Sequence, residues 1–323
     1  MDEVEVRDKA TRSGQQYAEL LCDFMFKRLF GSEANKDVLI GFLNMLLEDV
    51  EIEDVDFIPT EHLGMTEEDR KVIFDISCKC KDGRSFIIEM QKGYQKHFRE
   101  RALYYTTYPI NEQARDARDL YVKEKAESED DATFKWDYNL KPVIVVAILN
   151  FQFQHTDEWP ADKYRSSYRL REDSCMADMM TDALRFVFIE LGRFKKYIWQ
   201  LETFFDKWLY LLKHIHEMAS IPEEFSDPFF KRLFILAEID NFTPEEKKQY
   251  LQSLKNMGDY DNIINTAVEE AHAAGKAEGI AQGIEQGCRQ ANLQSAKNFK
   301  ALGVAVDVIA QATGLSVEEV EGL

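Results

Sequence analysis

Asp75, Glu89 and Gln91 are polar residues set in apolar surroundings. In "IFDISCKCKDGRSFIIEMQKG", Ile73–Gly93, Asp75 interrupts one apolar run and Glu89 the next. Side chains alternate faces along a strand. Phe74, Ile76, Cys78 and Cys80 therefore share one face, and Asp75, Ser77 and Lys79 the other. In the second run Phe86, Ile88 and Met90 oppose Ile87, Glu89 and Gln91. A tight Asp82-Gly83 turn would set Asp75 across from Met90, a register that places polar residues opposite apolar ones. A longer Lys81-Asp82-Gly83 loop, with Gly83 left-handed, sets Asp75 directly opposite Glu89. Their β-carbons would lie ~5 Å apart, where like charges destabilise a sheet and one carboxyl pKa rises unless the pair is neutralised. A divalent cation neutralises such a pair. Oxygen-only ligands suit Mg²⁺ or Mn²⁺, and Mg²⁺ takes one or two carboxylates beside waters and phosphate oxygens. A cation held there can activate water and stabilise charge on a phosphate under attack. The same spacing also fits a hairpin that simply turns an acidic face to water.

The surrounding pattern supplies the elements that hold this hairpin. "YAELLCDFMFKRLFGSEANKDVLIGFLNMLLEDV", Tyr17–Val50, is helical, with Leu21, Phe24, Met25 and Leu29 at helical spacing. Gly31 stops the first helix and Ser32 can cap the second, whose apolar face carries Leu39, Ile40, Leu43, Leu46 and Leu47. A strand is expected near Glu51–Phe57, ending at Pro59. His97–Ala126 reads as helix, followed by an acidic loop. "PVIVVAILNF", Pro142–Phe151, is nearly continuous in apolar residues, as in a strand buried on both faces. "SYRLRED" and "LRFVFIEL" are further strands. "KKYIWQLETFFDKWLYLLKHIHEM", Lys195–Met218, reads as one long amphipathic helix, and Ser226–Leu254 gives two more, the second starting at Thr243-Pro244-Glu245-Glu246.

The C-terminal stretch is different. Glycine recurs every fourth residue at Gly275, Gly279, Gly283 and Gly287. That spacing is close to one helical turn, so the glycines form a slowly drifting stripe against which another helix can pack closely. The final "AVDVIAQATGLSVEEVEGL" reads as a small helix–turn–helix, with Gly314 as a C-terminal cap and Ser316 and Glu319 as a capping box. Its second helix is short and acidic, which favours a protein contact over a DNA groove. Domain boundaries are expected at 1–16 for a flexible N-terminus, 17–194 for the core, 195–270 for a helical region and 271–323 for the tail.

Composition narrows the function classes. The 323 residues carry 45% hydrophobic and 12% aromatic side chains, enough for a sizeable core. A formal net charge of -19 argues against a protein that coats nucleic acid nonspecifically, though a local basic groove remains open. The acidic start "MDEVEVRDKATRSG" lacks the apolar stretch of a secretory signal, and no segment approaches a membrane span. The five cysteines, Cys22, Cys78, Cys80, Cys175 and Cys288, are odd in number and scattered, which fits reduced thiols in a cytoplasm. His214 and His216 stand outside any HExxH pattern, so zinc hydrolysis finds no support.

Asp75 followed across a hairpin by Glu89-Met90-Gln91 resembles the PD-(D/E)XK nuclease superfamily. The ordered set "DFMFKRLFGSEANKDVLIGFLNMLL", "DISCKCKDGRSFIIEMQ", "FRERALYYTT" and the glycine-spaced "AEGIAQGIEQG" resembles its recombination-promoting nuclease and transposase branch over roughly residues 17–290. The resemblance implies an α/β, restriction-endonuclease-like mixed sheet flanked by helices, with an all-helical C-terminal extension. It implies a Mg²⁺-dependent DNA endonuclease in which Asp75 and Glu89 bind the metal. Gln91 takes the place where many such nucleases carry lysine; glutamine orients water by hydrogen bonds but brings no charge. Lys27 or Lys79 are candidates to supply that charge.

Other residues join this candidate site. Asp23 and Lys27 lie i, i+4 on the first helix, as an auxiliary acidic ligand and a cation or as an ordinary surface ion pair. Arg101 and Tyr105 share a helix face after Gln91, offering Arg101 to a phosphate or Tyr105 to the core. Lys92, Lys96 and Arg99, with Tyr94 and Phe98 between them, are candidate DNA contacts. Arg165, Arg169 and Arg171 form a second basic candidate. The expected function is a DNA endonuclease with little sequence preference, promoting recombination or mobile-element activity and forming a homo-oligomer through its C-terminal helices. The competing reading is a catalytically degenerate nuclease-fold scaffold that serves protein interaction.

Overall fold

The computed structural model describes residues 15–62, 72–126 and 136–323. The expected flexible N-terminus and the acidic loop after residue 126 fall largely outside these. The chain divides into two compact units that meet at Leu254 and Lys255.

The first unit is built on a six-stranded mixed sheet in the order β1-β4-β5-β6-β8-β7. Its strands are β1 (Asp56–Phe57), β4 (Ile76–Lys79), β5 (Ser85–Gln91), β6 (Val143–Leu149), β7 (Arg165–Arg171) and β8 (Met179–Glu190). β2 (Glu61–His62) and β3 (Val72–Ile73) form a separate antiparallel pair. β5, β6 and β8 run parallel, while β4 and β7 pair antiparallel at either side. β6 is buried along its whole length, as its unbroken apolar run requires.

Helices cover both faces. On one face, α3 (Phe98–Ala126) lays Phe98, Ala102 and Tyr105 over Ile87, Ala147 and Phe188. On the other, the end of α1 (Asp23–Phe30) approaches Ile76: a β-carbon on Gly31 would sit 3.4 Å from Ile76 Cγ1. α2 (Lys36–Leu46) and α1 pack on α4 (Phe204–His214) through Trp208, whose ring lies 5.4 Å from Phe30 and 5.5 Å from Phe42. α5 (Pro228–Ala237) and the start of α6 (Pro244–Ala301) complete this layer. Tyr250 and Ser253 of α6 accept hydrogen bonds from the backbone N–H groups of Glu19 and Phe24.

Four sequence expectations are corrected. The strand near Glu51–Phe57 is confined to Asp56–Phe57, because the Asn44 side chain takes both the N–H and the C=O of Ile52 at 2.8 Å. Ser32 makes no capping bond through its side chain. The long helix expected from Lys195 begins only at Phe204: Thr203 Oγ1 accepts from Asp206 N–H at 3.0 Å and Asp206 Oδ2 from Thr203 N–H at 3.2 Å, a capping box that sets the start. Phe74 does not stay on the face opposite Asp75. A bend at Asp75 breaks the alternation and carries Phe74 into the cluster under α3, with its ring 5.0 Å from that of Tyr105.

The second unit contains the rest of α6, then α7 (Val306–Thr313) and α8 (Val317–Glu321). Ala296, Ile309 and Val320 form its small core. Gly314 caps α7 at φ 71°, and Ser316 with Glu319 closes the capping box that starts α8.

Candidate active site

The β4–β5 hairpin has the longer loop that the polar pattern demands. Cys80 N–H donates to Arg84 C=O at 2.8 Å, closing Lys81-Asp82-Gly83, and Gly83 sits at φ 91°. A side chain at that φ would be strained, so glycine is required. Ile76 pairs with Ile88, which sets Asp75 opposite Glu89. The two carboxylates are then locked by main-chain donors: Asp75 N–H to Glu89 Oε1 at 3.2 Å, and Met90 N–H to Asp75 Oδ2 at 2.8 Å.

Glu89 is 2% exposed. Burial, and then the Asp75 charge, push its carboxyl up to about 8. Burial likewise raises Asp75, against the lowering effect of the Met90 N–H; Asp23 raises it further, and Lys27 and Arg101 pull it down. Ionising both carboxyls would thus place more negative charge here than the surroundings compensate, so without a cation the pair tends to keep a proton.

α3 supplies the nearest guanidinium. Arg101 Nη2 lies 3.9 Å from Glu89 Oε2. Its plane rests 4.9 Å from the Phe98 ring centre and 5.5 Å from that of Tyr105, and its Nε is buried without a hydrogen-bond partner. The Tyr105 phenol is pushed up to about 12, chiefly by burial and next by Glu89, so it stays a neutral donor. On α1, Lys27 Nζ meets Asp23 Oδ1 at 2.9 Å, both side chains being half-exposed. Lys79 is tied to Asp116 of α3 at 3.1 Å, and it lies four positions along the strand from Asp75, ~13 Å. Of the two lysines, Lys27 is the one whose charge lowers the carboxyls of Asp75 and Glu89.

Gln91 ends β5, half-buried, with its Nε2 3.4 Å from the Met90 carbonyl. Lys92, Lys96 and Arg99 follow directly and lead into α3; the Arg99 guanidinium lies 4.2 Å over the Phe153 ring. The second basic candidate is not an open patch: Arg165 pairs with Glu48, Arg169 and Arg185 with Asp49, and Arg171 donates to the Met176 carbonyl.

Sequence reasoning passed over Glu190. It ends the apolar run of β8 as Glu89 interrupts that of β5, and this shared signal could have found it. Glu190 is 1% exposed, and its oxygens accept from Phe153 N–H at 2.7 Å, lie 2.8 Å from His155 Nε2 and 3.4 Å from Arg193 Nε. Through the Phe153 N–H and His155 it anchors the segment that follows β6.

The donor set fits a hard divalent cation. Asp75 and Glu89 each spend one oxygen on a main-chain N–H; among the described residues no hydrogen bond holds Asp75 Oδ1 or Glu89 Oε2. Among the described residues there is no cluster of three or more ligating side chains, so Asp23 stands outside the pair. Two carboxylates with water and phosphate oxygens completing the shell is the arrangement Mg²⁺ favours.

A mixed sheet with helices on both faces, and an acidic pair across the β4–β5 hairpin, is the architecture of a PD-(D/E)XK nuclease. The family profile of the PD-(D/E)XK nuclease family transposases matches residues 20–267, and the chain belongs to that family. No curated protein and no solved structure matches it significantly.

Proposed function

We propose that the protein is a divalent-metal-dependent DNA endonuclease with little sequence preference, promoting recombination or mobile-element activity. The observation that carries this reading is the buried, mutually facing Asp75–Glu89 pair, whose full ionisation the surrounding groups do not compensate. Mg²⁺ or Mn²⁺ held by Asp75 and Glu89 would supply an activated water and neutralise charge on the scissile phosphate. The main-chain N–H groups of Asp75 and Met90 fix the two carboxylates in place. Arg101 and Tyr105 sit above them as donors to a phosphate oxygen. Gln91 orients water by hydrogen bonds, and Lys27 and Asp23 tune the charge beside Asp75. Lys92, Lys96 and Arg99, a basic run next to the pair in an acidic chain, hold the flanking DNA backbone. Buried reduced Cys22, Cys78 and Cys80 fit a cytoplasmic protein, and no described helix is long and apolar enough to cross a membrane.

The C-terminal helices serve self-association in this reading. An added β-carbon at Gly275, Gly279, Gly283 or Gly287 meets nothing within 4 Å, and Ile280 and Ile284 beside that stripe are exposed. A second copy would cover both.

One feature favours a degenerate scaffold instead: Gln91 replaces a charged residue. Thermal unfolding with added Mg²⁺ or Mn²⁺ separates the readings. Stabilisation that Asp75→Ala abolishes supports the nuclease; no stabilisation of either protein supports the scaffold.

A further inference from the structure

The chain from Lys195 was expected to be helix; the segment that leaves β8 is instead an aromatic loop with one 3-10 turn, Ile198–Gln200, before the helix at Phe204. Leu191–Leu201 reads "LGRFKKYIWQL", with three cations, of which Arg193 lies against Glu190 and Lys196 against Asp206. Tyr197 and Trp199 stack face to face, with ring centres 4.7 Å apart and planes 4° from parallel. They are 60% and 74% exposed. A tryptophan that exposed is unusual on a surface with no partner. The stack covers one face of each ring and leaves the outer faces to solvent.

The pair is also held in place. Gln200 Oε1 accepts from Tyr197 N–H at 2.9 Å, and Gln200 N–H donates to Tyr197 C=O at 2.9 Å, closing a turn around the stack. Behind it, Lys196 is fixed to buried Asp206 at 2.7 Å, whereas Lys195 is exposed and has no ion pair among the described residues. The loop starts at the C-terminal end of β8. β8 lies two strands from β5 and parallel to it, so the loop leaves the same end of the sheet as Gln91.

We propose that Tyr197 and Trp199 form a stacking platform for an unpaired nucleobase, with Lys195 contacting the adjoining phosphate. This site rests on the reading of the protein as a DNA enzyme and adds to it a preference for DNA with a single-stranded segment. Aromatic faces accept any base, and Lys195 supplies the electrostatic attraction that strand binding needs. A purely hydrophobic protein partner would not call for Lys195, an exposed cation with no ion pair among the described residues, two positions from the stack.

The test is fluorescence anisotropy on the full chain in EDTA, with a labelled blunt duplex and the same duplex carrying a short thymidine overhang. The overhang is expected to bind about tenfold more tightly. Trp199→Ala should remove that preference and leave blunt-duplex affinity unchanged, while Trp199→Phe keeps part of it. Equal affinity for both DNAs in the wild type, or a preference that survives Tyr197→Ala/Trp199→Ala, overturns the platform alone. No binding to either DNA overturns the DNA-enzyme reading and the platform with it. A change of sedimentation in Trp199→Ala without a change in DNA preference assigns the pair to a protein interface and also overturns the platform.

Discussion

Asp75 and Glu89 are bound to each other's strand: the N–H of Asp75 donates to Glu89 Oε1, and the N–H next to Glu89, that of Met90, donates to Asp75 Oδ2. This reciprocal lock keeps two repelling carboxylates side by side in a buried position. Its electrostatic cost is what a bound cation would relieve.

That cost should be visible as pH dependence in the metal-free protein. The Glu89 carboxyl is raised from 4.5 to about 8 in the folded chain. Between these values the folded state keeps a proton that the unfolded state has lost, so stability falls as pH rises through the window. Glu89→Gln should flatten this slope. By differential scanning fluorimetry in EDTA, the wild type is expected to lose at least ~2–4 °C more than Glu89→Gln between pH 5 and 8. Parallel slopes would show that Glu89 ionises as it would in water.

Arg101 is the guanidinium nearest the pair, with one nitrogen buried and unbonded. Arg101→Ala is expected to reduce DNA cleavage by ~10²-fold, the usual effect of losing one preorganised donor. Arg101→Lys should recover only part, since lysine lacks the planar fork. Initial rates on a labelled duplex measure both.

Affinity for duplex DNA should fall linearly in a plot of log K against log salt. Lys96→Ala and Arg99→Ala are each expected to lower the slope by about 1, uniformly across sequences. An unchanged slope would place the DNA path elsewhere. Arg165 and Arg169, already paired with Glu48 and Asp49, serve as controls expected to leave the slope unaltered.

The glycine stripe gives opposite outcomes for its two states. With nothing packed against it, Gly279→Ala and Gly283→Ala should stabilise the helix by up to about 1 kcal/mol each. With a second copy packed there, Gly283→Leu should dissociate the oligomer. Sedimentation of the full chain, of Gly283→Leu and of a chain lacking residues 270–323 is expected to give an oligomer, a monomer and a monomer.

Much of this architecture was legible because it obeys short-range rules. The loop at Gly83 and the Asp75–Glu89 register followed from alternation alone, since only one loop length puts polar groups opposite polar groups. β6 announced itself by its unbroken apolar run. The misreadings came from side chains that override a pattern. Asn44 withdraws the backbone of Ile52 from the sheet. Thr203 and Asp206 start a helix in the middle of what periodicity reads as one helix, although "TFFD" carried the capping signal. The bend that turns Phe74 under α3 has no local marker, because Phe74 is drawn by Tyr105, thirty-one residues on. Glu190 was visible by the criterion that found Glu89, but its partners Phe153, His155 and Arg193 become apparent only in three dimensions.

The central claim is tested most directly by incubating supercoiled plasmid with the purified protein and Mg²⁺ or Mn²⁺, beside Asp75→Ala and Glu89→Ala. Metal-dependent nicking or linearisation by the wild type, lost in both variants, is the expected result. Cleavage that persists in either variant, or that proceeds in EDTA, would contradict the assignment of the pair as the metal-binding centre.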